Sequence, residues 1–131
     1  MKGIIEHNAA EIQRLKEAID NAVIHRSESK EAFDNWVKAC DEFHHRFDAL
    51  AFPGGLSHAL ESLGAGDTAK AEIAILYLEL HPYFFRSQYI GTMLMRRLKK
   101  LPLQGELKDR FDAVLNATRE RKLRSKQQRL S

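Results

Sequence analysis

A chain of 131 residues, 44% hydrophobic and 30% charged, has the make-up of one folded domain with a core of its own, which excludes a disordered polymer. Its formal charge of +3 joins two unlike parts: residues 1–85 hold eight Lys/Arg against fourteen Asp/Glu, a net of −6, and residues 86–131 hold thirteen against four, a net of +9. An acidic body attached to a basic C-terminal third implies a charged partner.

The opening stretch, MKGIIEHNAAEIQRLKEAID, has no unbroken apolar run and reaches a charge by Glu6, so no signal peptide is expected. No segment approaches the roughly 18 uncharged apolar residues that a membrane span needs. Cys40 is the single cysteine, which excludes an internal disulfide and fits a reducing compartment; a cytoplasmic protein is expected.

The first expected helix covers about residues 4–26. Ile5, Ile12 and Ile19 repeat at seven, and Asn8, Leu15 and Ala22 repeat at seven beside them, so one apolar seam runs along it, interrupted at Asn8. Arg26-Ser-Glu-Ser-Lys30 breaks it, and Ser29 is a candidate N-cap for the second helix. That helix keeps the period with larger residues: Phe33, Cys40 and Phe47 in one row, Trp36, Phe43 and Leu50 in the next. The two read as an antiparallel hairpin closed on an aromatic seam. The same seam leaves pairing between two chains as an alternative, with a monomer the preferred reading.

Pro53-Gly54-Gly55 ends the second helix, because proline disfavours the helical conformation before it and glycine admits positive φ. A short helix with Leu56, Leu60 and Leu63 follows and closes at Gly64-Ala65-Gly66. Asp67 is placed to cap the next one, in which Ile73, Ile75, Leu76, Leu78 and Leu80 point in nearly every direction, as a buried central helix requires. Pro82 stops it after His81. Ser87 is a candidate cap for a fifth helix whose inner stripe is Ile90, Leu94, Leu98 and Leu101. After Pro102 the last helix buries Leu107, Phe111, Val114 and Thr118. Beyond Ala117 only Leu123 and Leu130 are apolar, so residues 119–131 read as a basic helical tail, solvated and without an inner face, on a domain of residues 1–118.

No alternating β-branched run or Asn-Gly hairpin turn competes with this reading. The fold class is therefore all-α: an irregular bundle of five or six helices, with a small HEAT-like helical stack as the alternative.

Four features carry chemistry. The first is charge. Arg119, Lys122, Lys126 and Arg129 recur at three and four, one stripe on a helix that Arg121 and Arg124 widen, while Arg96, Arg97, Lys99 and Lys100 cluster on the preceding helix. Such stripes track phosphates or dock on acidic protein surfaces, and a solvated or self-packed helix is the plain alternative. The tail lacks the interleaved aromatics that single-stranded nucleic acid would favour. The second is the corner Tyr83-Phe84-Phe85-Arg86 with Tyr89, either a set of core anchors or a protein-binding hot spot.

The third is Asp41, His44, His45 and Asp48, two carboxylate–imidazole pairs at i,i+4 on adjacent faces. Single pairs of this kind bind metals, but one helix cannot turn all four to one ion and no second His- or Glu-rich helix answers them. A metal site is not expected; a metal-dependent protein is the third reading. The fourth is Cys40, in the row of Phe33 and Phe47, where a thiol packs as a small hydrophobe; no oxyanion hole or orienting group accompanies it. Gly64-Ala-Gly-Asp-Thr lacks the Gly-Lys-Ser/Thr ending of a phosphate loop. No catalytic motif and no cofactor are identified.

Two stretches, Trp36–Gly55 and Pro82–Ile90 with the following Met95-Arg-Arg-Leu-Lys99, resemble small stand-alone helical bacterial proteins of unassigned function. Some chains of that style are immunity proteins that neutralise a toxin domain. The resemblance spans about residues 33–103, contains no catalytic motif, and implies a bacterial origin and a protein partner. The basic C-terminal third departs from the acidic surface of many nuclease-immunity proteins. The expected function is thus a non-enzymatic protein-interaction module, of the immunity type if the resemblance extends to role. Its contacts would come from Tyr83, Phe84, Phe85, Arg86, Tyr89 and the basic cluster Arg96, Arg97, Lys99 and Lys100. The alternative is nucleic-acid binding through Arg119, Arg121, Lys122, Arg124, Lys126 and Arg129.

Overall fold

Helix boundaries fall where the sequence supplies a cap or a breaker. A computed structural model describes residues 1–130, and among these are six helices: α1 (Lys2–His25), α2 (Lys30–Ala51), α3 (Leu56–Gly64), α4 (Thr68–Leu80), α5 (Ser87–Lys99) and α6 (Gly105–Leu130). The Ser29 hydroxyl accepts from the Ala32 amide at 3.0 Å, and the Asp67 carboxylate accepts from the Lys70 amide at 3.1 Å, so both expected caps form. Ser87 does otherwise. The N-cap of α5 is Arg86, left-handed at φ 69°, and the Ser87 hydroxyl accepts from the Phe84 amide at 3.2 Å. It thereby ties the corner together instead of capping the helix.

α3 takes its cap from another helix. Gly55 precedes it at φ 96° and has no side chain to offer, so the Asp48 carboxylate of α2 accepts from the Ser57 amide at 3.0 Å and hydroxyl at 2.6 Å. A Cβ on Gly55 would sit 3.2 Å from that carboxylate, in a backbone conformation L-residues rarely adopt.

α1 and α2 form the expected hairpin, and Glu11 of α1 bonds to Arg46 of α2 at 2.9 Å. Ile5, Ala9, Ile12 and Leu15 are buried within the single chain, with Ile19 half-buried. Ala9 takes the place expected of Asn8. On α2 the aromatic seam fades towards the turn: Phe43 is buried, Phe47 and Cys40 are half-buried, and Phe33 is 47% exposed. Cys40 is therefore not the fully buried core residue its row implied. The hairpin meets the other helices through α1 against α4 and α2 against α3, and two helices by themselves cannot enclose a side chain. At the turn end Phe33 and Trp36 pack together, centroids 5.6 Å apart, under the Arg26 guanidinium.

α4 is the central helix. It buries Ala71, Ala74, Ile75, Tyr77 and Leu78 and touches α1, α3, α5 and α6. In a linear stack each unit meets only its neighbours in order; a helix that reaches both α1 and α6 makes this a bundle. α5 contributes Ile90, Leu94 and Leu98 to the core, and α6 contributes Phe111 and Val114. Arg110 of α6 fixes that last contact with two bonds to the Glu79 carboxylate of α4, at 2.5 and 3.1 Å.

α6 continues without a break through residue 118, where a tail was expected to begin. What stops there is burial: among residues 119–129 only Arg121 is half-buried. Ser131, the end of that expected tail, lies outside the described residues. Among the described residues no helix is long and apolar enough to cross a membrane.

Candidate functional site

Because α6 packs along α4, its C-terminal half runs past α5 with a gap between them. The gap is a groove of about 720 Å³. Its α5 side is Ser87, Gln88, Gly91, Thr92 and Met95, successive members of one helical face and mostly small. Its α6 side is Val114, Thr118, Arg121, Lys122, Ser125, Lys126 and Arg129. Tyr77 and Leu78 form the α4 part of the floor, and His81, Pro82 and Tyr83 close one end. At about 1.5 Å per residue, the wall from Val114 to Arg129 is about 22 Å long.

Gly91 keeps the floor low. A Cβ there would make ordinary contact with Leu78 Cδ2 at 3.6 Å. Leu78, Met95 and Val114 make the floor apolar. Arg121, Lys122, Lys126 and Arg129 make the wall cationic, and among the described residues no carboxylate lines the groove. An apolar trough beside four cations suits a ligand with an apolar face and an acidic edge.

The closed end has more specific chemistry. The Tyr77 hydroxyl is buried with no hydrogen-bond partner, and burial pushes its pKa up, so it remains a neutral O–H. His81, four residues on, is left-handed at φ 49° directly before Pro82. Burial, and then the charge of Arg121, lower the pKa of its ring. Arg121 donates to the Thr118 hydroxyl at 3.3 Å, and that hydroxyl donates to the Val114 carbonyl at 2.9 Å. The positive charge at this end is therefore that of Arg121, while the Tyr77 hydroxyl is closed to solvent.

The residues singled out from sequence divide among several surfaces. Lys122, Lys126, Arg129 and Arg121 line the groove, and all but Arg121 remain exposed. Arg119 and Arg124 are exposed outside it. Arg96, Arg97, Lys99 and Lys100 are also exposed but do not line it, and the two basic clusters do not merge there.

The aromatic corner is split as well. Tyr83 is 78% exposed and stands between the groove and a shallower depression bordered by Glu6, Gln13 and Glu17 of α1. Phe84 is 4% exposed and meets Phe47 at 6.3 Å; it anchors the corner in the core and is not a contact surface. Phe85 is 42% exposed, packs edge-on to Phe43 and lies under the Lys16 and Arg86 cations at 5.2 and 5.6 Å. Tyr89 is 61% exposed and does not line the groove.

Asp41, His44, His45 and Asp48 are all exposed, and Asp48 is engaged by Ser57. Among the described residues no group of three or more His, Cys, Asp or Glu is arranged to hold a metal ion. Sequence reasoning passed over Tyr77, His81, Gly91, Thr92, Met95 and Ser125. A signal existed on α5, whose face from Ser87 to Met95 is too polar and too small for a core stripe. No protein-family model matches this chain, and no curated protein or solved structure does either.

Proposed function

We propose that this protein is a non-enzymatic interaction module that holds an acidic, amphipathic helical segment of a partner protein in the α4–α5–α6 groove. One observation carries the reading: an apolar floor and a four-cation wall share one trough about 22 Å long, the length of roughly four helical turns. A helix in such a groove places residues i, i+3/i+4 and i+7 on Leu78, Met95 and Val114 and its acidic flank against Lys122, Lys126 and Arg129. An immunity-type inhibitor is one form such a module takes, with the toxin domain as the acidic partner. Nucleic acid is the alternative for the same cations; of the tyrosines that line the groove only Tyr83 is exposed, where a single strand calls for successive stacking platforms.

The test compares direct binding of acidic amphipathic helical peptides with that of duplex and single-stranded oligonucleotides. Acidic peptides are expected to bind the native protein, and Lys122→Glu with Lys126→Glu is expected to abolish that binding at unchanged helicity. Oligonucleotide binding with a steep salt slope, and no peptide binding, would replace this reading with the phosphate one.

A further inference from the structure

We infer that the outer end of the α1–α2 hairpin is a self-association face, on which a second copy of this chain lays its own hairpin, the two α2 helices antiparallel about a twofold axis near Trp36. The face is separate from the groove, and the inference does not depend on what the groove holds.

The first observation is an apolar seam left open. From residue 16 to residue 42 no side chain is buried, although α1 buries residues from Ile5 to Leu15 and α2 buries Phe43 and Ala51. The open stretch is not polar. Ile19, Val23, Trp36, Val37 and Cys40 are half-buried, and Phe33 is 47% exposed. Phe33, Trp36 and Cys40 lead, at steps of three and four, into the row that becomes buried at Phe43. Two helices share one line of contact, whereas four enclose a core, so a second hairpin supplies what this seam lacks.

The second observation is the charge beside the seam, and it selects the occupant. Lys30, Asp34, Val37 and Asp41 follow at steps of four, three and four, a single stripe along α2. Lys30 and Asp41 are exposed, and neither side chain has an ion-pair partner within the described chain. An antiparallel copy makes this stripe its own complement. With the axis midway between residues 35 and 36, Lys30 of each copy stands beside Asp41 of the other. Parallel pairing would instead set lysine against lysine and aspartate against aspartate. A contact in which each patch meets its own copy is the isologous interface of a twofold dimer.

The third observation is the kind of surface at the centre. Trp36 packs on Phe33 with centroids 5.6 Å apart, and the Arg26 guanidinium lies 5.1 Å over its ring. Tryptophan and arginine are the residue types that most often anchor protein interfaces. From Lys30 to Asp41 α2 runs about 17 Å, and α1 beside it makes the face about 20 Å wide. That is at the low end of specific interfaces, so the dimer is a weak one that forms at micromolar concentrations and above.

The experiment is sedimentation equilibrium of the full chain from about 5 to about 500 μM, a range that brackets weak dimers. The emission of Trp36, the only tryptophan, is read over the same range. The native protein is expected to pass from monomer to dimer mass, with emission moving to shorter wavelength as the ring loses water. Phe33→Glu should stay monomeric throughout. Lys30→Glu should weaken the dimer about tenfold, since it removes two ion pairs and opposes like charges in their place. Asp41→Lys added to Lys30→Glu should restore it. Glutamate is at least as favourable as lysine in the first turn of a helix, so a lower mass for Lys30→Glu does not come from unfolding. Lys122→Glu with Lys126→Glu, in the groove, should dimerise as the native protein does. Monomer at every concentration would overturn the inference, as would a dimer that Phe33→Glu leaves intact or a charge swap that fails to restore association. Loss of the dimer in the groove variant would overturn it too, by moving self-association to the groove. Should Phe33→Glu lose helicity, the charge swap decides alone.

Discussion

At the scale of single residues, two positions show how local chemistry becomes a measurable property. Gly91 lies inside α5, where glycine is about 0.5–1 kcal/mol less favourable than alanine, and the added methyl meets Leu78 at an ordinary contact distance. Gly91→Ala should therefore stabilise the protein by about that amount in urea denaturation, whereas Gly91→Leu should fill the groove and abolish peptide binding. Glu11 is the other. Its hydrogen bond from Arg14, then that from Arg46, hold its carboxyl at about 2, below the ordinary 4.5. The unfolded chain thus binds more protons between those two values, so the contribution of Glu11 is complete above pH 4.5 and lost as the pH falls towards 2. Thermal melts in acid should show the native protein losing more stability over that window than Glu11→Gln. Arg14 at i+3 was legible in the sequence as a partner, but Arg46 is 35 residues away and became one only when the hairpin closed.

At the scale of elements, helix boundaries were the most legible feature, because Ser29, Asp67, Pro82 and the Pro53–Gly55 turn act within a few residues of themselves. The exceptions are instructive. Ser87 stands where a cap belongs, yet bonds backwards to Phe84, and Asp48 caps a helix other than its own. Nothing in either local sequence distinguishes these bonds from ordinary ones. Residues 119–129 are helical and largely exposed, as their composition implies, yet Arg121, Lys122, Lys126 and Arg129 also border the groove. A helix polar on all sides reads as solvated, and whether one flank faces another element depends on where that element passes. Because burial ends near Thr118, deletion of residues 119–131 should leave the melting transition cooperative and little shifted. It removes six Lys/Arg and one Glu, taking the formal charge from +3 to −2, and should abolish peptide binding in the same preparation. A large loss of helicity beyond the deleted residues would show α6 to be a structural strut instead.

At the scale of the whole molecule, the charge asymmetry acquires a location. The groove collects four of the C-terminal cations, while the α1 side of Tyr83 is bordered by Glu6, Glu17 and Arg14. On the function proposed above, the four groove cations would steer an acidic helix to their side of Tyr83. The association rate of an acidic peptide should accordingly fall several-fold as salt rises from about 0.05 to about 0.5 M, with dissociation changing much less, because exposed wall charges act mainly on encounter. A dissociation rate that carries the salt dependence would place the decisive charges inside the closed end. The helical class, the breakpoints, the core stripes of α1 and α5, the central place of α4 and the segregation of charge follow from periodicity and composition within about twenty residues; which residues α4 buries, Ala71, Ala74 and Tyr77 among them, does not. That Phe84 turns inward and Tyr83 outward, that one basic cluster lines the groove and the other does not, and that Tyr77, His81, Gly91 and Arg121 border one groove emerges only in three dimensions. Those are relations between helices set by how α6 lies on α4, and a one-dimensional pattern holds no information about the angle at which two surfaces meet.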